Sequence, residues 1–258
     1  MSAPPLPRAA TTAVVFVGGD GARLGGAPKW LIALNGEPLL ARALRVAVAL
    51  SDDVALLARA EGRGLWDDPR VAARTARALA EAREGVYGET LGAALRARPP
   101  EVWREGPEDA RWGGERPGAL TALCAALARA PRPWLWALAC ELPHLSAEAL
   151  LPLSAGAAPP LLGSLYAEGA GAGAGAGAQP LAGLWAREAL AEARAQLAGG
   201  SLRRLCAHER VRLTPAPAGA LLHNLNAPRD LTAPPPPGAP GAAAGGASRL
   251  HFTLPLLS

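Results

Sequence analysis

The sequence predicts an α/β domain with three layers, α/β/α, around a mostly parallel sheet. Short apolar segments alternate with amphipathic helical segments along most of the chain. The first apolar segment, residues 12–17, is apolar on both faces, as a buried parallel strand is. A glycine-rich loop follows it, at the end of the strand where α/β sheets bind their ligands. Half of the 258 residues are hydrophobic, enough for the core of one sizeable domain.

Each element follows from the same alternation of patterns. Pro38 is placed to begin a helix, and residues 31–34 suit a short strand or a turn. Strands are predicted at residues 12–17, 54–57, around 102, 134–139, 161–166, 181–185 and 211–214. Helices are predicted after Pro38 and Ser146 and at residues 71–83, 90–98, 118–130, 187–198 and 201–208. Strands that alternate with helices indicate parallel pairing.

Composition divides the chain into three parts. Residues 1–10 form a short Pro/Ala arm, which we expect to be flexible, and residues 11–232 form the folded domain. The Pro/Gly/Ala-rich residues 233–258 are expected to be a mostly disordered tail. Within the domain, the Gly-Ala repeats of residues 169–178 predict a flexible loop.

Charge and cysteine usage exclude several classes of protein. The net charge is +4, but arginines are interleaved with glutamates and aromatic residues are few, so we expect no nucleic-acid partner. No apolar run is long enough to span a bilayer, and we expect no membrane association. Cys124, Cys140 and Cys206 have neither paired nor metal-ligand spacing, which is typical of reduced thiols in a cytoplasmic protein.

The most informative segment is the loop that ends at Lys29, the single lysine of a chain that otherwise uses arginine. The lysine ammonium is a compact point charge, whereas the arginine guanidinium is a planar fork. The lysine at this position therefore indicates a role that needs a compact charge. Glycines at 18, 19, 21, 25 and 26 expose backbone amides that can form an anion nest. The spacing matches neither a Walker A loop nor the dinucleotide fingerprint. Arg23 and Lys29 beside such a nest favour a polyphosphate over a bare surface turn.

Two further groups are expected at the same edge of the sheet. Glu141 follows the apolar strand 134–139 and suits a magnesium ligand, or simply the N-terminus of the next helix. Asn224 and Asn226 lie two residues apart in an extended segment and could orient a ligand or cap a short helix. Asparagine is rare in this chain, which favours a role for at least one of them.

Six motifs in chain order resemble the molybdenum cofactor guanylyltransferases, a family of nucleotidyltransferases. The glycine loop through Lys29 and residues 34–40 resemble the signature of that family. The later matches are Pro117-Gly118-Ala119-Leu120, Cys140-Glu141-Leu142-Pro143, Gln179-Pro180-Leu181, residues 201–205 and residues 224–231.

The resemblance implies a Rossmann-like sheet of the nucleotide-diphospho-sugar transferase type. It also implies transfer of GMP from GTP to molybdopterin with release of pyrophosphate, with Mg²⁺ as the metal. Transient contact with other cofactor-biosynthesis or acceptor proteins is a further expectation. Charge neutralisation and positioning, rather than a protein nucleophile, serve such a transfer.

The resemblance also assigns the site residues. Arg23 and Lys29 would neutralise the phosphates as the catalytic cations, and Glu141 would carry the metal. Asp109 is the candidate for an acid that contacts the nucleotide, with Glu115 as its rival. The nucleotide-binding set is Phe16, Val17, Gly18, Gly19, Gly21, Lys29, Asp109, Glu141, Asn224 and Asn226.

Two departures from the family pattern keep other functions open. Glu141 stands where the family has aspartate, which raises a degenerate, non-catalytic nucleotide binder as an alternative. The family's asparagine after the second strand has no counterpart near Arg59. A second alternative is a cytidylyltransferase that acts on the same cofactor. Position 19 is often alanine in those enzymes, so Gly19 favours guanine. An NADP-binding Rossmann domain, with Arg59 reading the 2′-phosphate, fits less well because of Pro28 and Lys29.

Overall fold

The structure is a computed structural model with a seven-stranded central sheet. It describes residues 3–19, 21–61, 64–106, 118–167, 177–197, 201–217, 222, 224–225, 230 and 252–253, with the backbone alone for 23, 252 and 253. The strands are β1 Thr11–Phe16, β2 Ala33–Leu34, β3 Glu37–Pro38, β4 Asp53–Ala58, β5 Glu101–Arg104, β6 Trp134–Ala139, β7 Gly163–Ala167, β8 Ala178–Ala186, β9 Val211–Pro215 and β10 Phe252–Thr253.

The central sheet has the strand order β5-β4-β1-β6-β8-β7-β9. Strands β5, β4, β1 and β6 pair in parallel, and β7 pairs with β9 in parallel. Strand β8 runs antiparallel to both of its neighbours, β6 and β7. The predicted mostly parallel sheet is therefore confirmed, with one reversed strand that the alternation of patterns did not reveal.

Helices cover both faces of this sheet. In the described part of the chain they are α1 Leu39–Leu50, α2 Pro69–Arg83, α3 Glu89–Ala97, α4 Ala119–Arg129, α5 Ala147–Leu150, α6 Ala189–Leu197 and α7 Leu202–Cys206. On one face, Ala13 and Val15 of β1 pack with helices α1, α2 and α3. On the other face, Val14 and Phe16 pack with helices α4, α6 and α7. Alternate residues of one buried strand thus face two helical layers, which confirms the three-layer α/β/α fold.

Strands β10, β2 and β3 form a second, three-stranded sheet beside the glycine loop. Phe252 pairs with Leu34 and Thr253 with Ala33, so part of the sequence assigned to the C-terminal tail returns to the domain. Residues 231–250 lie outside the described residues. Beneath the hairpin, a small apolar cluster joins Leu24, Ala27, Ile32, Leu34 and Leu39 to Leu225.

The segment assigned from sequence to an N-terminal arm contacts the domain through Leu6 and Arg8. The backbone N–H of Leu6 donates to Oγ of Ser154 at 3.2 Å, and Arg8 pairs with Asp52 at 2.8 Å. The Gly-Ala repeats lie outside the described residues except for 177 and 178, and Ala178 is the first residue of β8. None of the helices described here combines the length and the apolarity that crossing a bilayer requires.

Candidate active site

The glycine loop closes on itself at the carboxyl end of β1. Gly21 has φ of +62° and begins a 3-10 turn over Ala22–Leu24, and its carbonyl accepts from the N–H of Leu24 at 2.7 Å. A Cβ at Gly21 would lie 2.0 Å from the carbonyl oxygen of Ala27, so a side chain at this position would collide with the far end of the loop. Gly25 and Gly26 also have positive φ, at +67° and +81°. The loop therefore needs glycine for its shape as well as for exposed amides.

A second turn carries Lys29 and is anchored from below by Trp30. The turn spans Lys29–Leu31, and Trp30 is 1 % exposed. Its indole N–H donates to Oγ1 of Thr75 at 2.9 Å, and the Thr75 hydroxyl donates to the carbonyl of Val71 at 2.8 Å. This hydrogen bond therefore ties the turn that carries Lys29 to helix α2.

Lys29 meets Glu141 at the carboxyl edge of the sheet. Nζ of Lys29 lies 3.6 Å from Oε1 of Glu141, and their side chains are 15 % and 24 % exposed. The other carboxylate oxygen, Oε2, is 3.7 Å from the Cys140 thiol, within range of a weak S–H···O bond. The carboxylate is thus held between an ammonium group and a buried thiol.

The asparagine segment reaches the same place. The backbone N–H of Leu225 donates to the carbonyl of Glu141 at 3.0 Å, and the Leu225 side chain is completely buried in the cluster beneath the hairpin. Among the described residues, Oδ1 of Asn224 is buried and makes no hydrogen bond. A buried carbonyl oxygen left without a donor costs free energy unless a ligand completes it. Asn226 lies outside the described residues.

A cavity of about 160 Å³ runs along the ends of the parallel strands. Phe16, Gly18 and Gly19 form its wall on the β1 side, and Glu141 lines it from the β6 side. The remaining lining residues are Leu57, Arg59, Glu105, Gly118, Ala119, Ala122 and Leu181. Gly118 is the N-cap of α4, and Ala119 and Ala122 belong to its first turn, so the N-terminal end of this helix borders the cavity.

The structure brings together part of the residue set predicted from the sequence. Phe16, Gly18, Gly19 and Glu141 line the cavity. Lys29 is joined to it by the ion pair with Glu141, and Asn224 precedes Leu225, whose N–H bonds to the Glu141 carbonyl. Gly21 shapes the loop. Val17 is 1 % exposed and its N–H donates to the carbonyl of Leu57 at 2.9 Å, so it supports the site from within the core. The Arg23 side chain, Asp109 and Glu115 lie outside what the structure describes.

Sequence reasoning missed the charged lining residue Glu105, and it named Arg59 only in the NADP-binding alternative. Glu105 directly follows β5 and is 9 % exposed, and its N–H donates to the carbonyl of Ala58 at 3.0 Å. A carboxylate immediately after a parallel strand was the signal used for Glu141, and the same signal applies to Glu105. The strand before it is short and partly exposed, which made the pattern weaker.

The residues around Glu141 fit a hard divalent cation. Within the described residues, no three His, Cys, Asp or Glu side chains cluster in a way that could hold a metal by themselves. Magnesium in nucleotide-dependent enzymes is held by one or two carboxylates together with substrate phosphates, so a dense cluster is not required. The Glu141 carboxylate and the orphaned Oδ1 of Asn224 are the oxygen donors suited to this role.

The sequence matches the family model of the MobA-like NTP transferase domain over residues 13–214. The chain belongs to this family. The matched span includes the glycine loop, Lys29, Arg59, Glu105 and Glu141, and ends before Asn224. This MobA-like protein is accordingly a nucleotidyltransferase, which confirms the enzyme class predicted from the motifs. No curated protein matches the chain by sequence.

Solved structures support the fold of the MobA-like domain. The protein Rv0371c from Mycobacterium tuberculosis H37Rv matches with a TM-score of 0.56 and 18% identity, over 86% of this chain and 95% of its own. Molybdopterin-guanine dinucleotide biosynthesis protein A from Archaeoglobus fulgidus gives 0.53 and 19%, over 85% and 94%. A nucleotidyl transferase from Methanothermobacter thermautotrophicus gives 0.51 and 20%, over 85% and 93%. At these identities the likeness shows a common fold.

Proposed function

We propose that this nucleotidyltransferase transfers GMP from GTP to molybdopterin, with Mg²⁺ as the metal. The observation that carries the proposal is the Lys29–Glu141 pair, which places a cation and a carboxylate beside the glycine loop. The family match supports nucleotidyl transfer, and the motif resemblance supports the guanine and molybdopterin assignments.

In the proposed reaction, an oxygen of the molybdopterin phosphate attacks the α-phosphorus of GTP. A new P–O bond forms, the bond from the α-phosphorus to the bridging oxygen breaks, and pyrophosphate leaves with the bonding electrons. Charge develops on oxygens of the transferring and leaving phosphates, so positioned positive charge is the main requirement. No covalent intermediate on the protein is needed.

Lys29 is assigned to neutralise this charge as a single ammonium group. Its turn is held by the buried Trp30–Thr75 hydrogen bond, so its charge is positioned before the substrate arrives. Backbone amides of the glycine loop face the phosphates, and Arg23 in the same loop is proposed as a second cation. Glu105, which lines the cavity, joins Asp109 and Glu115, the two acids proposed from the sequence, as a candidate for contact with the nucleotide.

Glu141 and Asn224 are assigned to hold Mg²⁺. When bound, the ion supplies Lewis-acid charge neutralisation on the phosphate oxygens. The ammonium of Lys29 lies at salt-bridge distance from the Glu141 carboxylate in the structure. Moving it towards the phosphates releases the carboxylate for the cation, so the pair couples nucleotide binding to metal binding.

A pyrophosphate-release assay tests this function. It compares GTP with CTP, each in the presence of Mg²⁺ and molybdopterin. We expect turnover with GTP that requires both Mg²⁺ and the pterin. Preference for CTP would assign the chain to the sister cytidylyl reaction. Binding of GTP without pyrophosphate release would favour a non-catalytic nucleotide binder.

A further inference from the structure

Arg59 is held in one orientation at the carboxyl end of β4. Its Nε donates to the carbonyl of Gly18 at 2.7 Å. A Cβ at Gly18 would lie 3.1 Å from Cγ of Arg59, and a Cβ at Gly64 would lie 3.1 Å from its Cβ. Two glycines therefore flank the arginine stem at contact distance. The anchor uses Nε, so the N–H donors of the two terminal nitrogens are not spent on it.

The backbone of Arg59 is fastened as well. Nη1 of Arg104 donates to the carbonyl of Arg59 at 3.3 Å. Arg104 in turn forms an ion pair with Asp67 at 3.0 Å, and its guanidinium carbon lies 5.9 Å from the Trp66 ring centroid. These contacts thus hold both the backbone and the side chain of Arg59 in place. A guanidinium group held in one orientation loses less conformational freedom when it binds a ligand.

Arg59 shares the cavity with a buried carboxylate and apolar walls. Glu105 lines the same space, together with the apolar side chains of Phe16, Leu57 and Leu181. Such a slot suits a flat ring with paired acceptors on one edge and donors on another. Guanine has this pattern, with O6 and N7 as acceptors and N1–H and the 2-amino group as donors.

Position in the sheet separates this pair from the phosphate end of the site. Glu141 follows β6, whereas Arg59 and Glu105 follow β4 and β5, on the opposite side of β1. Strands β6 and β4 are two strand spacings apart, about 10 Å. A nucleotide with its phosphates at Lys29 and Glu141 would therefore cross the end of β1 to bring its base to Arg59.

We infer that Arg59 is the specificity-determining residue for the base, donating through its terminal nitrogens to O6 and N7 of guanine, with Glu105 accepting from the N1–H and 2-amino edge. Adenine presents its 6-amino donor beside N7 and repels the fork. Cytosine has a single ring and lacks the O6/N7 pair. The inference rests on the proposed function, but it concerns base selection rather than the transfer step. The resembled family has asparagine at this strand end, so the arginine is a departure from its pattern.

Nucleotide binding by calorimetry, without molybdopterin, tests this inference. The wild-type chain should bind GTP roughly tenfold or more tightly than 7-deaza-GTP, which lacks the N7 acceptor, and than ITP, which lacks the 2-amino group. Arg59→Met should lose the preference over 7-deaza-GTP and keep the preference over ITP. Glu105→Gln should do the reverse. Arg59→Lys keeps the charge without the fork and should also lose the N7 preference.

Other outcomes would overturn the inference. Equal weakening of GTP, 7-deaza-GTP and CTP by Arg59→Met would show that Arg59 reads a phosphate. Tight binding of NADPH, but not NADH, that depends on Arg59 would assign it to a 2′-phosphate. Arg70→Met, at a half-exposed surface ion pair, is the matched control and should leave all affinities unchanged. Because no pterin or turnover enters the measurement, a failure of the proposed transfer reaction would be visible separately, in the pyrophosphate assay.

Discussion

Nζ of Lys29 lies 3.6 Å from Oε1 of Glu141, which joins the loop after β1 to the turn after β6. Both side chains are mostly buried, so solvent screens the pair less than it would on an open surface. The two strands are neighbours in register, with Phe16 opposite Ala139. The sheet itself therefore sets the separation between the two loops that carry the charges.

Replacing Lys29 with arginine should reduce kcat by roughly a hundredfold while the fold stays intact. The guanidinium is larger than the ammonium and planar, and a displacement of about 1 Å at a reacting centre can have an effect of this size. Steady-state pyrophosphate release measures the loss, and the thermal midpoint checks the fold. Arg77→Lys, at an exposed ion pair on α2, is the control and should be silent. Near-normal turnover of Lys29→Arg would refute the point-charge role.

Shortening Glu141 to aspartate should raise kcat several-fold and lower the Mg²⁺ concentration needed for half-saturation. The change withdraws the carboxylate by one methylene, to the length that the resembled family uses. Magnesium tolerates poor octahedral geometry badly, so one methylene matters. Titration of Mg²⁺ at saturating GTP is the measurement.

Glu141→Gln is the matched variant, because it keeps the length and removes the charge. It should lose turnover and respond weakly to Mg²⁺. Identical Mg²⁺ curves for the wild type, Glu141→Asp and Glu141→Gln would exclude Glu141 as the metal ligand.

Alanine at Gly21 should be far more damaging than alanine at Gly19. A Cβ at Gly21 would meet the Ala27 carbonyl at 2.0 Å in a backbone with φ of +62°, whereas a Cβ at Gly19 meets nothing within 4 Å. We expect Gly21→Ala to weaken GTP binding by more than tenfold and Gly19→Ala to retain the fold and the loop. Calorimetry on both variants makes the comparison, and equal affinities would contradict the proposed loop geometry.

Removing the hydroxyl of Thr75 should destabilise the turn that carries Lys29. In Thr75→Val the buried indole N–H of Trp30 loses its acceptor, which costs about 1–3 kcal/mol. We expect a lower free energy of unfolding in urea and a reduced kcat. Thr75→Ser keeps the acceptor and should recover most of both. If valine and serine behaved alike, the loss would come from packing rather than from the hydrogen bond.

Stability should fall as the pH rises above 9. Burial raises the pKa of the Cys206 thiol from an ordinary value of 9.0 to about 12. Burial raises the pKa of the Cys140 thiol as well, and the negative charge of Glu141 adds to this. Above pH 9 the unfolded chain releases protons that the folded chain retains, so each such thiol lowers the free energy of unfolding by about 1.4 kcal/mol per pH unit.

Urea unfolding at pH 8, 9 and 10 measures this dependence. Cys206→Ala removes the contribution of one thiol to this pH dependence. The free energy of unfolding of the variant should therefore decline less steeply with pH than that of the wild type. Parallel curves for the two proteins would contradict the buried-thiol explanation.

The apolar pattern predicted most of the sheet, and particular residues show why. Residues 134–139 form an uninterrupted apolar run and become β6 with the predicted bounds. The reversal of β8 was not predictable, because a strand buried on both faces carries no sign of its direction. The expectation that the glycine loop, residues 140–143 and residues 224–226 meet at one edge followed from the parallel sheet alone. The contacts of Lys29 with Glu141 and of Leu225 with the Glu141 carbonyl agree with it.

Contacts between distant side chains lay beyond sequence reasoning. Nothing in the pattern of α2 indicates that Thr75 receives the Trp30 indole, because one threonine on a helix has many equivalent roles. The fit of Arg59 between Gly18 and Gly64 depends on distances below 4 Å across three separate segments. Asp109 and Glu115, the acids proposed from the sequence to contact the nucleotide, lie outside the described residues, and Glu105 is a further acid that lines the cavity.

The pairing of β10 with the hairpin after Lys29 has a practical consequence for handling this protein. Thr253 lies opposite Ala33, so a purification tag fused shortly after Thr253 would lie next to a strand that borders the glycine loop. A tag at the N-terminus would precede the segment in which Leu6 is bonded to Ser154 and Arg8 to Asp52. Kinetic work on this nucleotidyltransferase therefore calls for a cleavable tag.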